Sequence, residues 1–176
     1  MSTIGVECNA DKYFFGRLLQ DKRLIRKERN DLEVIKGVAV RSKGNFSIGI
    51  IDVDKNKKIP GEFIEIYRND NTQIYKHYQH CQFLILIGPR QFEHWIGAFL
   101  RKNNNSVMDF GFNTFDDFME NSKTLKPENE DRFKNLMNFV FENIYDGENH
   151  ILHLKKQLEY LIEKKYQFNI EEFQKL

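Results

Sequence analysis

Apolar and polar positions alternate along the chain in two registers. Thr3 to Val6 is a short apolar run, and the Asn9-Ala10-Asp11 step after it offers side chains that can cap a helix. Strand, turn and helix is the reading, with Phe14, Leu18 and Ile25 on one side of the helix and Phe15 and Leu19 beside them. The charged stretch Asp21 to Asp31 reads as exposed. Leu32 to Ile35, closed by Gly37, predicts a second strand, and Phe46 to Ile51, entering Asp52, a third and buried one. Phe63, Ile64, Ile66 and Tyr67 fit either an irregular segment or a short extra strand. Phe83 to Ile87 is the clearest buried strand, ended by Gly88-Pro89. Beyond it Phe92, Trp95, Ile96 and Phe99 recur at helical spacing up to the break at Asn103 to Ser106.

The remainder keeps the helical period. Phe115, Phe118 and Met119, then Phe133, Leu136, Met137, Val140 and Phe141, then Ile151, Leu154, Leu158, Leu161 and Ile162 each mark one apolar stripe. These elements predict a single α/β domain: a mainly parallel sheet of about four strands flanked by helices over residues 1–100, with a helical C-terminal extension over 101–176 packed on it. The stripe on the last helix leaves a homodimer open. The segment Val38 to Asn45 is short for a parallel crossover, which predicts a reduced or lost helix there.

Composition narrows the classes. With 40% hydrophobic and 30% charged residues in 176, the chain reads as globular, and its longest apolar stretch falls far below the roughly 20 residues of a membrane span. No secretion signal is legible at the N-terminus, which gives a cytoplasmic expectation with no membrane partner. Cys8 and Cys81 are too few for a disulfide framework and read as free thiols. The net charge of +1 gives no global field for nucleic acid, so any such surface has to be local. The 16 phenylalanines fall mostly at core spacing rather than as a stacking surface.

Chemistry concentrates in acids that follow strands. Asp52 and Asp54 form an Asp-x-Asp after Ile48 to Ile51, where strand alternation points both carboxylates to one side. Such crowding calls for a proton or a cation, and hard oxygen ligands suit Mg²⁺ or Mn²⁺; an ordinary exposed turn is the alternative. Glu7 and Asp11 follow the first strand, so two strand ends carry acids that can meet in one crevice of a parallel sheet. Asp11 as a helix cap and Glu7 as a charge beside that helix are compatible with the same placement. Glu93, after the Phe83 to Ile87 strand, is a speculative addition. Arg41 and Lys43 are candidates for phosphate contact from the same edge, and Lys55, Lys57 and Lys58 for local positive charge. His77, His80 and Cys81 lack a fourth zinc ligand at a recognisable spacing, and His150 and His153 read as surface residues.

The strings Val6-Glu7-Cys8-Asn9-Ala10-Asp11 and Ile50-Ile51-Asp52-Val53-Asp54 resemble the Toprim domain of topoisomerases and primases, and more closely the small Toprim nucleases of the overcoming-lysogenization-defect type. The resemblance covers residues 1–100 and departs from the family at Cys8, where glycine is usual. It implies a Rossmann-like fold and Mg²⁺-dependent phosphodiester hydrolysis on DNA or RNA. Glu7 would be ligand or general acid/base, Asp52 and Asp54 catalytic metal ligands, and Asp11 a further ligand. It also implies a possible partner ATPase. A non-catalytic module binding nucleic acid or a partner protein, and a phosphatase or nucleotide hydrolase on the same metal, are the alternatives.

Overall fold

The computed structural model describes residues 3–53 and 57–176. Among these, six strands form one sheet in the order β2-β1-β3-β6-β5-β4, built from β1 (Ile4–Val6), β2 (Ile25–Lys27), β3 (Ser47–Asp52), β4 (Phe63–Arg68), β5 (Thr72–His77) and β6 (Gln82–Ile87). The first four in that order run parallel, and β5 and β4 add an antiparallel hairpin to the β6 side. The fold is the Rossmann-like α/β class expected, with two more strands than the four anticipated.

Period-2 alternation explains how the central strands are buried on both faces. Ile48 and Ile50 of β3 and Phe83, Ile85 and Ile87 of β6 enter the larger core, while Ile51, Leu84 and Leu86 enter the smaller one on the opposite face. The larger core receives α1 (Asn9–Leu18) and α3 (Phe92–Lys102) through Phe14, Phe15, Trp95 and Phe99. The C-terminal helices α4 (Phe115–Ser122), α5 (Asp131–Asn143), α6 (His150–Lys164) and α7 (Ile170–Phe173) join that same cluster, so Leu136, Val140, Leu154 and Leu158 share one core with β1. None of the helices among the described residues is long and apolar enough to cross a membrane.

The smaller core is covered by α2 (Asp31–Lys36), which contains the segment read from sequence as the second strand. Asn30 caps it, its Oδ1 accepting from Glu33 N at 2.9 Å, and Val34, Ile35 and Val38 lie buried at helical spacing. A π-helical stretch, Gly37–Arg41, prolongs it, so the crossover to β3 retains its helix. The true second strand lies in the charged stretch: Ile25 is buried and belongs to β2 rather than to the α1 stripe, while Arg26 and Lys27 are exposed on the sheet edge. Gly49 lets α2 approach β3, because a Cβ there would stand 2.8 Å from Val34 Cγ1 and 3.0 Å from both Leu84 Cδ2 and Val38 Cγ2.

The order in which strands are added to the sheet reverses between β1 and β3. From β1 the path turns through α1 to β2 on one side; from β3 the sheet continues through β6 on the other. The two C-terminal ends are neighbours in register, Val6 opposite Ile50, and the connections leaving them diverge. This is the position where open α/β sheets form a crevice.

Candidate acidic site at the sheet switch point

Glu7 leaves the end of β1, and Asp52 is the last residue of β3. Asp11 sits in the first turn of α1 and Glu93 in the first turn of α3, whose N-termini face the same edge. The fold therefore gathers Glu7, Asp11, Asp52 and Glu93 at one end of the sheet, where each helix N-terminus partly offsets negative charge. Asp54 lies outside the described residues, as does Lys55. A cleft of about 690 Å³ opens over this edge, lined by Glu7, Asp52, Asp31, Lys57, Arg90 and His94 among others.

The carboxylates are held by specific bonds. Cys8 is the N-cap of α1: its Sγ accepts from Asp11 N at 3.3 Å, and Asp11 Oδ2 accepts from Cys8 N at 3.2 Å. Cys8 thus anchors Asp11 in a reciprocal box. Asp52 Oδ1 accepts from Phe92 N at 2.8 Å, capping α3 from the neighbouring strand because Gln91 supplies no side-chain cap. Glu93 accepts from Ser122 Oγ. Among the described residues, Glu7 Oε2 and Asp11 Oδ1 are buried without a hydrogen-bond donor.

Burial and mutual repulsion set the protonation of this cluster. Asp52 is pushed up to about 8, first by burial and then by Asp11, Glu7 and Glu93. Asp11, only 5% exposed, is pushed up to about 7 by burial, with Cys8 opposing and Glu93 and Glu7 adding to the rise. Glu7 is also raised, by burial above all, with Lys57 opposing. Lys57 stands among these acids with its side chain 10% exposed, its Nζ 3.8 Å from Glu7 Oε2 and 3.4 Å from Asp31 Oδ2, and donates to the Asp52 carbonyl at 2.8 Å. Burial drives the Cys8 thiol far up as well, which keeps it an uncharged cap.

As donors, the buried oxygens of Glu7 and Asp11 match what a hard divalent cation takes. Among the described residues no group of three or more His, Cys, Asp or Glu side chains is arranged to hold a metal ion.

Other candidates lie elsewhere. Arg41 and Lys43 precede β3 and stand at its start, the end of the sheet opposite Asp52, so the same-edge placement expected of them does not hold. Arg41 is engaged by Glu33 at 2.8 Å and Glu28 at 3.1 Å. His77 Nδ1 accepts from Gln79 N and His80 N at 3.1 and 3.2 Å, organising a turn. His150 is bound to the Trp95 carbonyl at 2.9 Å and held down to about 4 by burial, and His153 stacks on Tyr67. Asp31 and Arg90 were not singled out by sequence; Arg90's position after the Gly-Pro step was the available signal. No protein-family model, curated protein or solved structure matches the chain.

Proposed function

We propose that the acidic edge binds Mg²⁺ or Mn²⁺ and that the chain hydrolyses phosphodiester bonds in DNA or RNA in the manner of Toprim nucleases. The observation that carries this reading is the buried carboxylate cluster at the switch point, in which, among the described residues, Asp11 Oδ1 has no donor and Glu7 Oε2 faces only the Lys57 ammonium, at 3.8 Å. Ionising a buried carboxyl whose oxygen has no donor costs free energy that a bound cation would offset. Glu7, Asp11 and Asp52 would hold the cation together with Asp54. A cation held by these residues would supply polarisation of the phosphodiester and a lower pKa for a water nucleophile. The chain's own residues supply the rest: Glu7, at the strand end beside Asp52 and with its carboxyl raised by burial, is placed to exchange a proton, and Arg90 with Lys57 offers positive charge to a phosphate in the cleft.

The test is calorimetric titration of Mg²⁺ and Mn²⁺ into the wild type, Asp52→Asn, and the Asp52→Ala/Asp54→Ala double variant, with cleavage assays on plasmid, single strands, RNA and nucleotides. Joint loss of binding and cleavage in folded variants is expected. Undiminished cation binding in both variants would overturn the proposal, and turnover of nucleotides alone would turn it toward a nucleotide hydrolase. A second reading, a non-catalytic module binding nucleic acid or a partner protein, is favoured by one observation: the Lys57 ammonium already neutralises part of the cluster. Binding without cleavage in either cation would support it.

A further inference from the structure

A second cleft, of about 590 Å³, lies on the opposite face of the sheet between α2 with its π-helical extension and the segment leading into β4. Leu32, Ile35, Lys36 and Ala39 line it at helical spacing, so one face of a helix forms a wall, and Lys43 extends it from the turn after that helix. Lys58, Phe63, His77 and Tyr78 form the facing side. The floor is apolar, with Ile35 and Phe63 buried, whereas Val40, 67% exposed, and Tyr78, 56% exposed, stand open at the rim.

Its charge differs from that of the whole molecule. Three exposed lysines, Lys36, Lys43 and Lys58, line it with one acid, Glu62. Tyr78 stacks on the His77 ring, centroids 5.1 Å apart and planes 11° from parallel, and that ring is fixed by the two backbone N–H groups it accepts from. An aromatic platform is thus braced beside cations over an apolar floor, the combination that binds bases by stacking and phosphates by charge.

The two clefts also connect through the chain. Asp31 and Lys57 line the acidic cleft, and their immediate neighbours Leu32 and Lys58 line the groove. From there the groove follows the helix toward Lys43, which precedes the start of β3. Eleven residues of helix span roughly 15 Å, enough for a short run of nucleotides. Duplex DNA keeps its bases stacked away from such a platform, so an unpaired strand is the form that uses both the ring and the lysines.

We propose that this groove is a track for single-stranded nucleic acid that delivers the strand to the acidic edge. Its delivery role rests on the metal-site reading above; binding to the groove does not. The experiment is fluorescence anisotropy of a labelled oligothymidylate, in EDTA and over a salt series, with the wild type, the Lys36→Gln/Lys43→Gln/Lys58→Gln variant and Tyr78→Ala, each checked for folding by circular dichroism. Neutralising three phosphate contacts makes the slope of log affinity against log salt shallower by about 2, with at least roughly a tenfold loss of affinity at low salt. Removing the ring costs roughly tenfold or more without changing the slope.

Unchanged affinity in both variants overturns the track. So does poly-glutamate binding that matches the oligonucleotide's and ignores Tyr78→Ala, which would make this an acidic-peptide site. Mn²⁺ titration of the triple variant separates the two proposals: normal cation binding with normal oligonucleotide binding sinks the track and spares the metal site. Loss of cation binding only in Asp52→Asn, with oligonucleotide binding lost only in the groove variants, upholds both.

Discussion

Lys57→Met removes the ammonium that, among the described residues, stands between the acids, while keeping an unbranched side chain of similar length. The wild-type Nζ donates to the Asp52 carbonyl at 2.8 Å and faces Glu7 and Asp31 within ion-pair distance, with only 10% of the side chain exposed. A charge-assisted hydrogen bond contributes about 1.5–3 kcal/mol, and breaking a buried pair costs about 3–5 kcal/mol. Glu7 and Asp31 are each about one-third exposed, so the lower part of that range applies, and a loss of about 2–4 kcal/mol is expected near pH 8. For a chain of this length that lowers Tm by roughly 4–16 °C.

The pH dependence has a definite sign. The folded-state pKa values of Asp11 and Asp52, about 7 and about 8, lie above the ordinary 3.8, so the folded protein holds protons that the unfolded chain releases. Their contribution to stability is fully present below about pH 3.8 and is lost as pH rises through 7 to 8. The metal-free wild type therefore loses stability across this window, and the Lys57→Met variant loses more because no ammonium opposes the ionising acids. Thermal unfolding followed by circular dichroism, at about pH 5 and about pH 8 with and without Mn²⁺, measures all of this. A variant as stable as wild type at the higher pH, or destabilised equally at both, would refute the reasoning.

Two further outcomes bear on the fold that positions the site. Gly49→Ala forces a Cβ to within 2.8 Å of Val34 Cγ1 under α2, and a loss of about 1–3 kcal/mol in urea unfolding is expected, with α2 displaced from β3. Cys8→Ala removes the acceptor for Asp11 N and costs about 1 kcal/mol, whereas Cys8→Ser restores it; equal stability of the two would show that the cap is idle.

Legibility followed burial. The strands β1, β3 and β6 were readable because both faces of each are covered, which leaves short continuous apolar runs. The edge strand β2 was not, since two of its three residues are exposed charges. β5, Thr72-Gln73-Ile74-Tyr75-Lys76-His77, is held largely by pairing between β6 and β4, and its one strongly apolar buried position, Ile74, leaves little pattern. The Leu32 to Ile35 run fits strand and helix alike over four residues; the Asn30 cap and the later Val38 decide for helix. Glu7 and Asp52 could be placed from their strand ends. Asp31 and Arg90 could not, because the crossover containing α2 and the turn after β6 reach the cleft only once the strand order is known.

That strand order also shows how one carboxylate serves two ends. Asp11 commits Oδ2 to the Cys8 N–H and leaves Oδ1 buried and free; Asp52 commits Oδ1 to Phe92 N. Each side chain is thereby fixed through one oxygen by a helix N-terminus, and its other oxygen is not consumed by that bond. Helix capping and cation binding are compatible at the same residues, because the capping bond sets the orientation that a ligand oxygen needs. The cap at Cys8 fits this arrangement: with a glycine there, Asp11 N would lose its Sγ acceptor and Asp11 half of the reciprocal box that holds it in the first turn of α1.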